Sequence, residues 1–347
     1  MTTDDFVRAV LTGEPYRVRG LVAFGTNLLV SRGGVAGVRE ALGALEFTVH
    51  TDLFMNPSAA YADIVLPVTS PWEHESLKVG FEMDQEAMGL VQLRPAAVAA
   101  RGEARSDTAI VFDLAVRLGL GNEFWGGELE AAWRHQLGPS GLRLDELRAA
   151  PDGVRVPLRT EYRKYRNGRG FETPSSRVEI WSETFRSHGY PPLPAFVEPA
   201  TGPASAPELA TRYPLVLTSA KSGLYCHSQH RNLASLRRRS PDPEVEIHPE
   251  TAASRGIAAG DWVEIASPAG TMRARARLNG SLDPRVVAAA HGWWQACTEL
   301  GLQGYPVDGE GAANVNALIP AGTADPISGS VPHRSFLCEV RKPGRGA

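Results

Sequence analysis

Cysteine is scarce in this chain, with Cys226, Cys297 and Cys338 the whole complement. The three lie far apart and form no C-x-x-C pair. They also fall short of the four-thiolate set that an iron–sulfur cluster or structural zinc site ordinarily uses, so neither those centres nor a disulfide scaffold is expected in this chain. Charge of one sign is lacking too. A formal net charge of -3 gives no reason to expect a polyanionic partner, and the run Arg237 to Arg239 reads as a solvated loop rather than a nucleic-acid patch. No apolar run reaches membrane-spanning length. The residues after Met1, TTDDFVRAV, are acidic and amphipathic and unlike a secretory leader, so a cytoplasmic location is expected. A G-x-G-x-x-G motif after the first predicted strand is also missing, which argues against a nicotinamide-dependent dehydrogenase.

What is present suffices for two cores, since the chain has 347 residues and 43% hydrophobic content. The opening reads as a helix over 5–11, a strand over 20–25, a Gly-rich loop, a helix over 35–44 and a strand over 45–50, which is a βαβ unit. The most informative stretch follows at once: TDLFMNPSAAYADIVLPVTSPWEHE, Thr51 to Glu75. Thr51 and Asp52 fall at a strand's carboxyl end, where open α/β sheets hold ligands, and Asp52 there could grip a nucleotide. Asn27, just past the first strand, shares that edge if the two strands are parallel neighbours. A second buried strand, Ala62 to Val68, ends around Pro67 and throws Trp72 to Glu75 onto a loop. Ser106-Asp107 caps a helix with apolar spacing through Leu118, closed by Gly119.

From about Gly121 to Pro192 the patterning weakens and reads as a connection and packing arm. Leu193 to Pro207 is rich in Pro and Ala and suits an extended linker, dividing residues 1–200 from 201–347. Beyond it, Tyr213 to Thr218, Glu244 to Ile247, Trp262 to Ser267, Thr271 to Leu278 and Arg285 to Ala290 read as short strands of a β-barrel, with a helix over 249–255. The His-rich places Cys226 to His230 and Glu73 to Glu75 lack the spacing of metal ligands, and no metal ligand is assigned.

With these pieces in order, the chain resembles the C-terminal half of the molybdopterin oxidoreductases related to dimethyl sulfoxide reductase, periplasmic nitrate reductase and formate dehydrogenase. The resemblance runs through GLVAFGTN, TDLFMNPSAAYADIVLP, EHE, GEARSD, GFETPSSRVEIWSE, YPLVLTSAKSGLYCHSQ, EIHPETAASRGIAAGDWVEIASPAG, HGWW, NVNAL and DPISG. It implies an α/β fold, a Rossmann-like α/β domain followed by a double-psi β-barrel domain, which together clasp the nucleotide tails of molybdopterin guanine dinucleotide in its bis form with molybdenum. By position in the motifs it implies Asn27, Thr51, Asp52, His74 and Asp107 as cofactor contacts in the first domain. In the barrel it implies Thr218, Ser219, His227, Ser228, Asn316 and Arg334. A guanosine diphosphate tail offers ring nitrogens that donate to carboxylates and a pyrophosphate that takes amide donors, so these residue types suit it. His74 stands where several relatives place lysine. HGWW, His291 to Trp294, faces the pterin or packs the core, and His291 is the sole candidate beside a substrate funnel.

The resemblance also implies what lies elsewhere: an N-terminal half with the molybdenum ligand, often an iron–sulfur cluster, an electron-transfer subunit and a small-molecule substrate. No catalytic residue is assigned. The chain then reads as a separate C-terminal subunit, a truncated product or a fragment, incompetent alone, within an enzyme performing two-electron redox. The alternative is a metal-free scaffold of a redox complex, for which the large iron–sulfur subunit of respiratory complex I is the precedent.

Overall fold

The computed structural model describes residues 2–80, 84–157, 165–166, 168, 170–331 and 333–344; residues 158–164, 167 and 169 of the expected arm lie outside them. Contacts group the chain into two units, Met1–Leu66 with Glu198–Ala347, and Pro67–Val197. One crossing falls inside the expected Pro-rich linker. The other, after Leu66, puts the βαβ opening in the same unit as the barrel, which differs from a linear division near residue 200.

The first unit opens with α1 (Thr3–Leu11), whose capping box pairs Thr2 with Asp5. Then come β1 (Gly20–Phe24), the single turn α2 (Leu28–Ser31), α3 (Val35–Ala44), β2 (Phe47–Asp52) and β3 (Ile64–Pro67). The three strands form a sheet in the order β1-β2-β3, with β1 and β2 parallel. Val35, Val38 and Leu42 recur at helical spacing and pack with Leu29, Val7 and Leu21, so α1 and α3 cover one face of the sheet.

The second unit contains β4 (Ser76–Val79), α4 (Gln85–Met88), β5 (Leu90–Arg94), α5 (Asp107–Arg117), α6 (Leu129–Leu137), α7 (Leu144–Ala149), β6 (Val154–Arg155) and α8 (Glu183–Ser187). Its strands make an antiparallel sheet, and Val91, Leu93, Leu137, Leu144 and Leu147 form its core.

The chain returns to the first unit through α9 (Pro207–Arg212), β7 (Leu215–Ala220), α10 (Ala234–Arg237), β8 (Glu244–Ile247), α11 (Pro249–Ala253), β9 (Trp262–Ser267), β10 (Gly270–Leu278), β11 (Val286–Ala290) and β12 (Phe336–Arg341). These six strands close a barrel in the order β10-β8-β11-β7-β12-β9. Two of its pairs are parallel, β7 with β11 and β8 with β10. Alternate residues point inward, so Val245, Ile247, Val263, Ile265, Val287 and Ala289 are wholly buried. β12, which the sequence reading does not anticipate, closes the ring against β7 and β9.

Candidate functional site

In the βαβ unit, Phe24 lies opposite Thr51 in parallel register, so β1 and β2 end side by side. Gly25 leaves β1 with its N–H donating to the Thr51 carbonyl at 2.8 Å. Asn27, Thr51 and Asp52 therefore share one sheet edge, at the carboxyl ends of the strands. Thr51 is fully buried. Asp52 accepts from the Phe54 N–H at 3.0 Å and from Asn56 Nδ2 at 2.7 Å. Burial pushes its pKa up, but hydrogen bonds from His50, Phe54 and Asn56 outweigh burial and hold the carboxyl below the usual carboxylate range. It is an anionic acceptor at neutral pH.

Two residues that the sequence reading passes over hold this edge together. Asn56 is 2% exposed, and its Nδ2 also reaches the Thr26 carbonyl and His50 Nε2, each at 3.2 Å. Its Oδ1 accepts from the Ser58 and Ala59 N–H groups at 2.9 and 3.0 Å. Ser58 Oγ donates to Asn27 Oδ1 at 3.2 Å and accepts from the Leu29 N–H at 3.0 Å. The available signal was the Asn-Pro-Ser turn at 56–58, whose side chains are suited to bonding local backbone. Asn27 Nδ2 is left buried with no partner.

The NVN motif meets the same loop from the barrel side of this unit. Asn314 Nδ2 donates to the Leu29 carbonyl at 2.7 Å, and Asn316 Nδ2 to the Val30 carbonyl at 2.6 Å. Asn316 is 5% exposed, yet its Oδ1 is buried without a partner. The α2 turn thus carries Asn27 at its start and Asn316 against one of its last carbonyls.

Thr218 and Ser219 sit in β7 opposite Ala288 and Ala289. Among the described residues no hydrogen bond links them to the Asn27 edge. The following loop, to Gln229, is pinned by Arg231. This guanidinium is 2% exposed and donates to the carbonyls of His227 at 2.5 Å, Gln229 at 3.0 Å and His291 at 2.7 Å. Its Nε has no partner. It lies 4.5 Å from the Tyr225 ring and 5.1 Å from that of Trp293, and burial lowers its pKa to about 10. Arg237 is 1% exposed and bonds the Pro241, Arg231 and Gln295 carbonyls. The reading of 237–239 as a solvated loop is therefore corrected at Arg237, whose charge is met by carbonyl dipoles and by aromatic faces.

Gly292 lets the two loops meet: at φ +80, a Cβ there would collide with the His227 carbonyl. Trp293 is buried, and Trp294 Nε1 donates to the Ser228 carbonyl at 2.8 Å, so one tryptophan packs while the other braces the loop. A cavity of about 320 Å³ is lined in part by Lys221, Tyr225, Arg231, Ala290 and His291. The carboxylates in its wall are engaged, Asp242 by Arg275 and Glu244 and Glu246 by Arg277, which leaves Lys221, Arg231 and Arg239 to set its sign.

The His227 and His291 rings are 5.9 Å apart. Burial, followed by the charges of Arg231, His227 and His333, lowers the pKa of His291 against an opposing hydrogen bond with the Ala220 backbone. His333 is lowered by burial and by Arg32 and Arg334. Electrostatically, then, the loop after β7, the exit of β11, the approach to β12 and the end of α2 act on one another. Among the described residues no group of three or more side chains could hold a metal ion. The exposed cations at the cavity, Lys221 and Arg239, suit phosphate oxygens.

His74 and Asp107 belong to the second unit. His74 Nδ1 is 2.8 Å from Thr69 Oγ1, and the Thr69 N–H donates to the Arg105 carbonyl at 3.0 Å, so Thr69 joins the His74 loop to the strand-like approach to α5. Ser106 is the helix cap, its Oγ accepting from the Ala109 N–H at 3.2 Å, and Asp107 is the first helical residue.

Comparison with known proteins now adds identity. Residues 15–117 match the family model described as molybdopterin oxidoreductase, and residues 215–337 match that described as molydopterin dinucleotide binding domain. Acetylene hydratase of Syntrophotalea acetylenica is 29% identical over 82% of this chain and 38% of its own. Dopamine dehydroxylase of Eggerthella lenta is 29% identical over 96% of this chain and 39% of its own. The assimilatory nitrate reductase catalytic subunit of Bacillus subtilis (strain 168) is 30% identical over 84% of this chain and 40% of its own. The solved acetylene hydratase from Pelobacter acetylenicus superposes with a TM-score of 0.82 at 26% identity, covering 97% of this chain and 46% of that one. The chain thus spans 38–40% of the length of these curated relatives.

Proposed function

Because this chain carries molybdopterin oxidoreductase and molydopterin dinucleotide binding domains and is a homologue of the dimethyl sulfoxide reductase family, we propose that it grips the guanine dinucleotide tails of a bis-molybdopterin cofactor within a larger molybdenum oxidoreductase. The observation that carries this reading is the pair of buried polar atoms at α2, Asn27 Nδ2 and Asn316 Oδ1, one a donor and one an acceptor without partners. Buried groups of this kind are costly unless a ligand satisfies them.

Asp52 would accept from guanine or ribose, and Thr51 shapes the strand end beneath it. The amides of Asn27 and Asn316 would meet the nucleotide at the α2 turn. His227, Ser228 and Arg334 would present donors and positive charge to phosphate, beside Thr218 and Ser219 of β7; His74 and Asp107 are assigned to the same cofactor on their motifs. The two parallel pairs of the closed barrel support the double-psi reading, and the parallel β1–β2 edge supports the Rossmann-like one. The cofactor supplies two-electron redox at molybdenum; this chain's residues bind, orient and exclude water. The metal ligand, any iron–sulfur cluster and the electron route lie outside this chain, which without them has no turnover.

The test is molybdenum analysis together with guanine released by acid hydrolysis, on the chain purified in its native assembly. The reading expects both in the assembly and loss of both in an Asp52→Ala/Asn316→Ala variant that still assembles.

A further inference from the structure

Along β2, Thr48, His50 and Asp52 project to one side of the strand. His50 is 2% exposed, in a place where an aliphatic side chain would pack without a desolvation cost, and a buried imidazole is unfavourable unless its nitrogens meet partners. Its Nε2 lies 3.8 Å from Asp52 Oδ2 and 3.2 Å from Asn56 Nδ2. The orientation of that amide is fixed, since Asn56 Oδ1 accepts from the Ser58 and Ala59 N–H groups. Nδ2 carries two protons, and two partners that can only accept take them, Asp52 Oδ2 at 2.7 Å and the Thr26 carbonyl at 3.2 Å. None is left for His50. A bare Nε2 lone pair would then face a carboxylate, which repels it, so the donor count puts a proton on Nε2, directed at Asp52.

We infer that His50 is a positioning residue for nucleotide binding: its Nε2–H, beside the Asn56 amide, holds Asp52 Oδ2 inward, so that the carboxylate turns its remaining lone pairs to the ligand. The inference rests on the proposed function, in which Asp52 meets guanine or ribose. Oδ1 is steadied separately by the Phe54 N–H. The carboxylate is thus gripped at both oxygens, and its side chain stays 18% exposed, which is the part a ligand can reach. Burial raises the Asp52 pKa, and among the groups that lower it His50 acts most strongly, ahead of Phe54 and Asn56. A carboxylate ordered before the ligand arrives loses less binding free energy to ordering.

The experiment follows the release of guanine nucleotide from the native assembly over time for the parent, His50→Leu, His50→Gln, Asp52→Ala and His50→Leu/Asp52→Ala. Leucine fills the space without a donor and should speed release about tenfold, the scale of one hydrogen bond to a charged group. Glutamine restores an N–H at similar reach, so its release should return near the parent rate. In the Asp52→Ala background the leucine change should add nothing, because the imidazole acts through that carboxylate. An imidazole that only fills space gives other results: release unchanged in His50→Leu, equal in the leucine and glutamine variants, or quickened by leucine whether or not Asp52 is present. Any of these overturns the inference. His50→Phe, a ring without a donor, replaces the leucine variant if that one does not assemble. The two claims separate at the parent: bound guanine that leaves His50→Leu no faster keeps the cofactor reading standing, whereas a parent without guanine overturns both.

Discussion

Asn56 is the residue on which the sheet edge turns, because one amide there ties Asp52, His50 and the Thr26 carbonyl and caps the turn at Ser58. Asn56→Ala strips partners from several buried groups and should cost about 1–3 kcal/mol, read by urea unfolding; an unchanged midpoint would show that the network contributes nothing. The histidines give a pH signature. His291 and His333 have lowered folded-state pKa values. Below about 6.5 the unfolded chain binds protons that the folded chain resists, so their contribution is full above that pH and is lost as pH falls toward the folded values. Thermal midpoints measured from pH 7.5 to 5 should fall, and the fall should be shallower in His291→Gln; equal slopes would contradict the assignment. At this scale the sequence was only partly legible. Asp52 and Asn27 declared themselves by strand-end position, but Arg231 and Arg237 did not, since nothing local distinguishes a guanidinium buried on carbonyls and aromatic rings from one in water.

Elements were more legible where period and punctuation agree. α3 follows from Val35, Val38, Ala41 and Leu42, and β8, β9 and β11 from short apolar runs bounded by turns. The sheet of β4, β5 and β6 was missed because its members are short and β6 is two residues long, reached only after three helices. β12 was missed because FLCEVR mixes charge into its run, and its outward residues Glu339 and Arg341 bond Arg255 and Glu264 on the barrel's exterior. The contact between the loop after β7 and the exit of β11 depends on Gly292. Gly292→Ala must adopt a positive φ and collide with the His227 carbonyl, so it should lose at least about 1–3 kcal/mol and expose the 221–230 loop to limited proteolysis. A variant as stable and as resistant as the parent would show that the loops do not meet there.

For the whole molecule, composition excluded a membrane-crossing helix, and no helix among the described residues is long and apolar enough to be one. Its motifs led to the family, which the matched domains then showed. Linear order could not reveal that the barrel and the βαβ opening form one unit, because the contacts that join them are distant in sequence, as when Asn314 and Asn316 reach the carbonyls of α2 285 and 286 residues away and Arg39 pairs with Asp308. A metal-free scaffold would have no use for orphaned amide atoms at that junction; a nucleotide clasp would. The most direct measurement is the guanine and molybdenum content per chain of the native assembly, for the parent and for an Asn27→Ala/Asp52→Ala/Asn316→Ala variant. The account predicts both in the parent and neither in the variant, with the assembly intact. A parent free of guanine and molybdenum, or a variant that retains them in full, would contradict it.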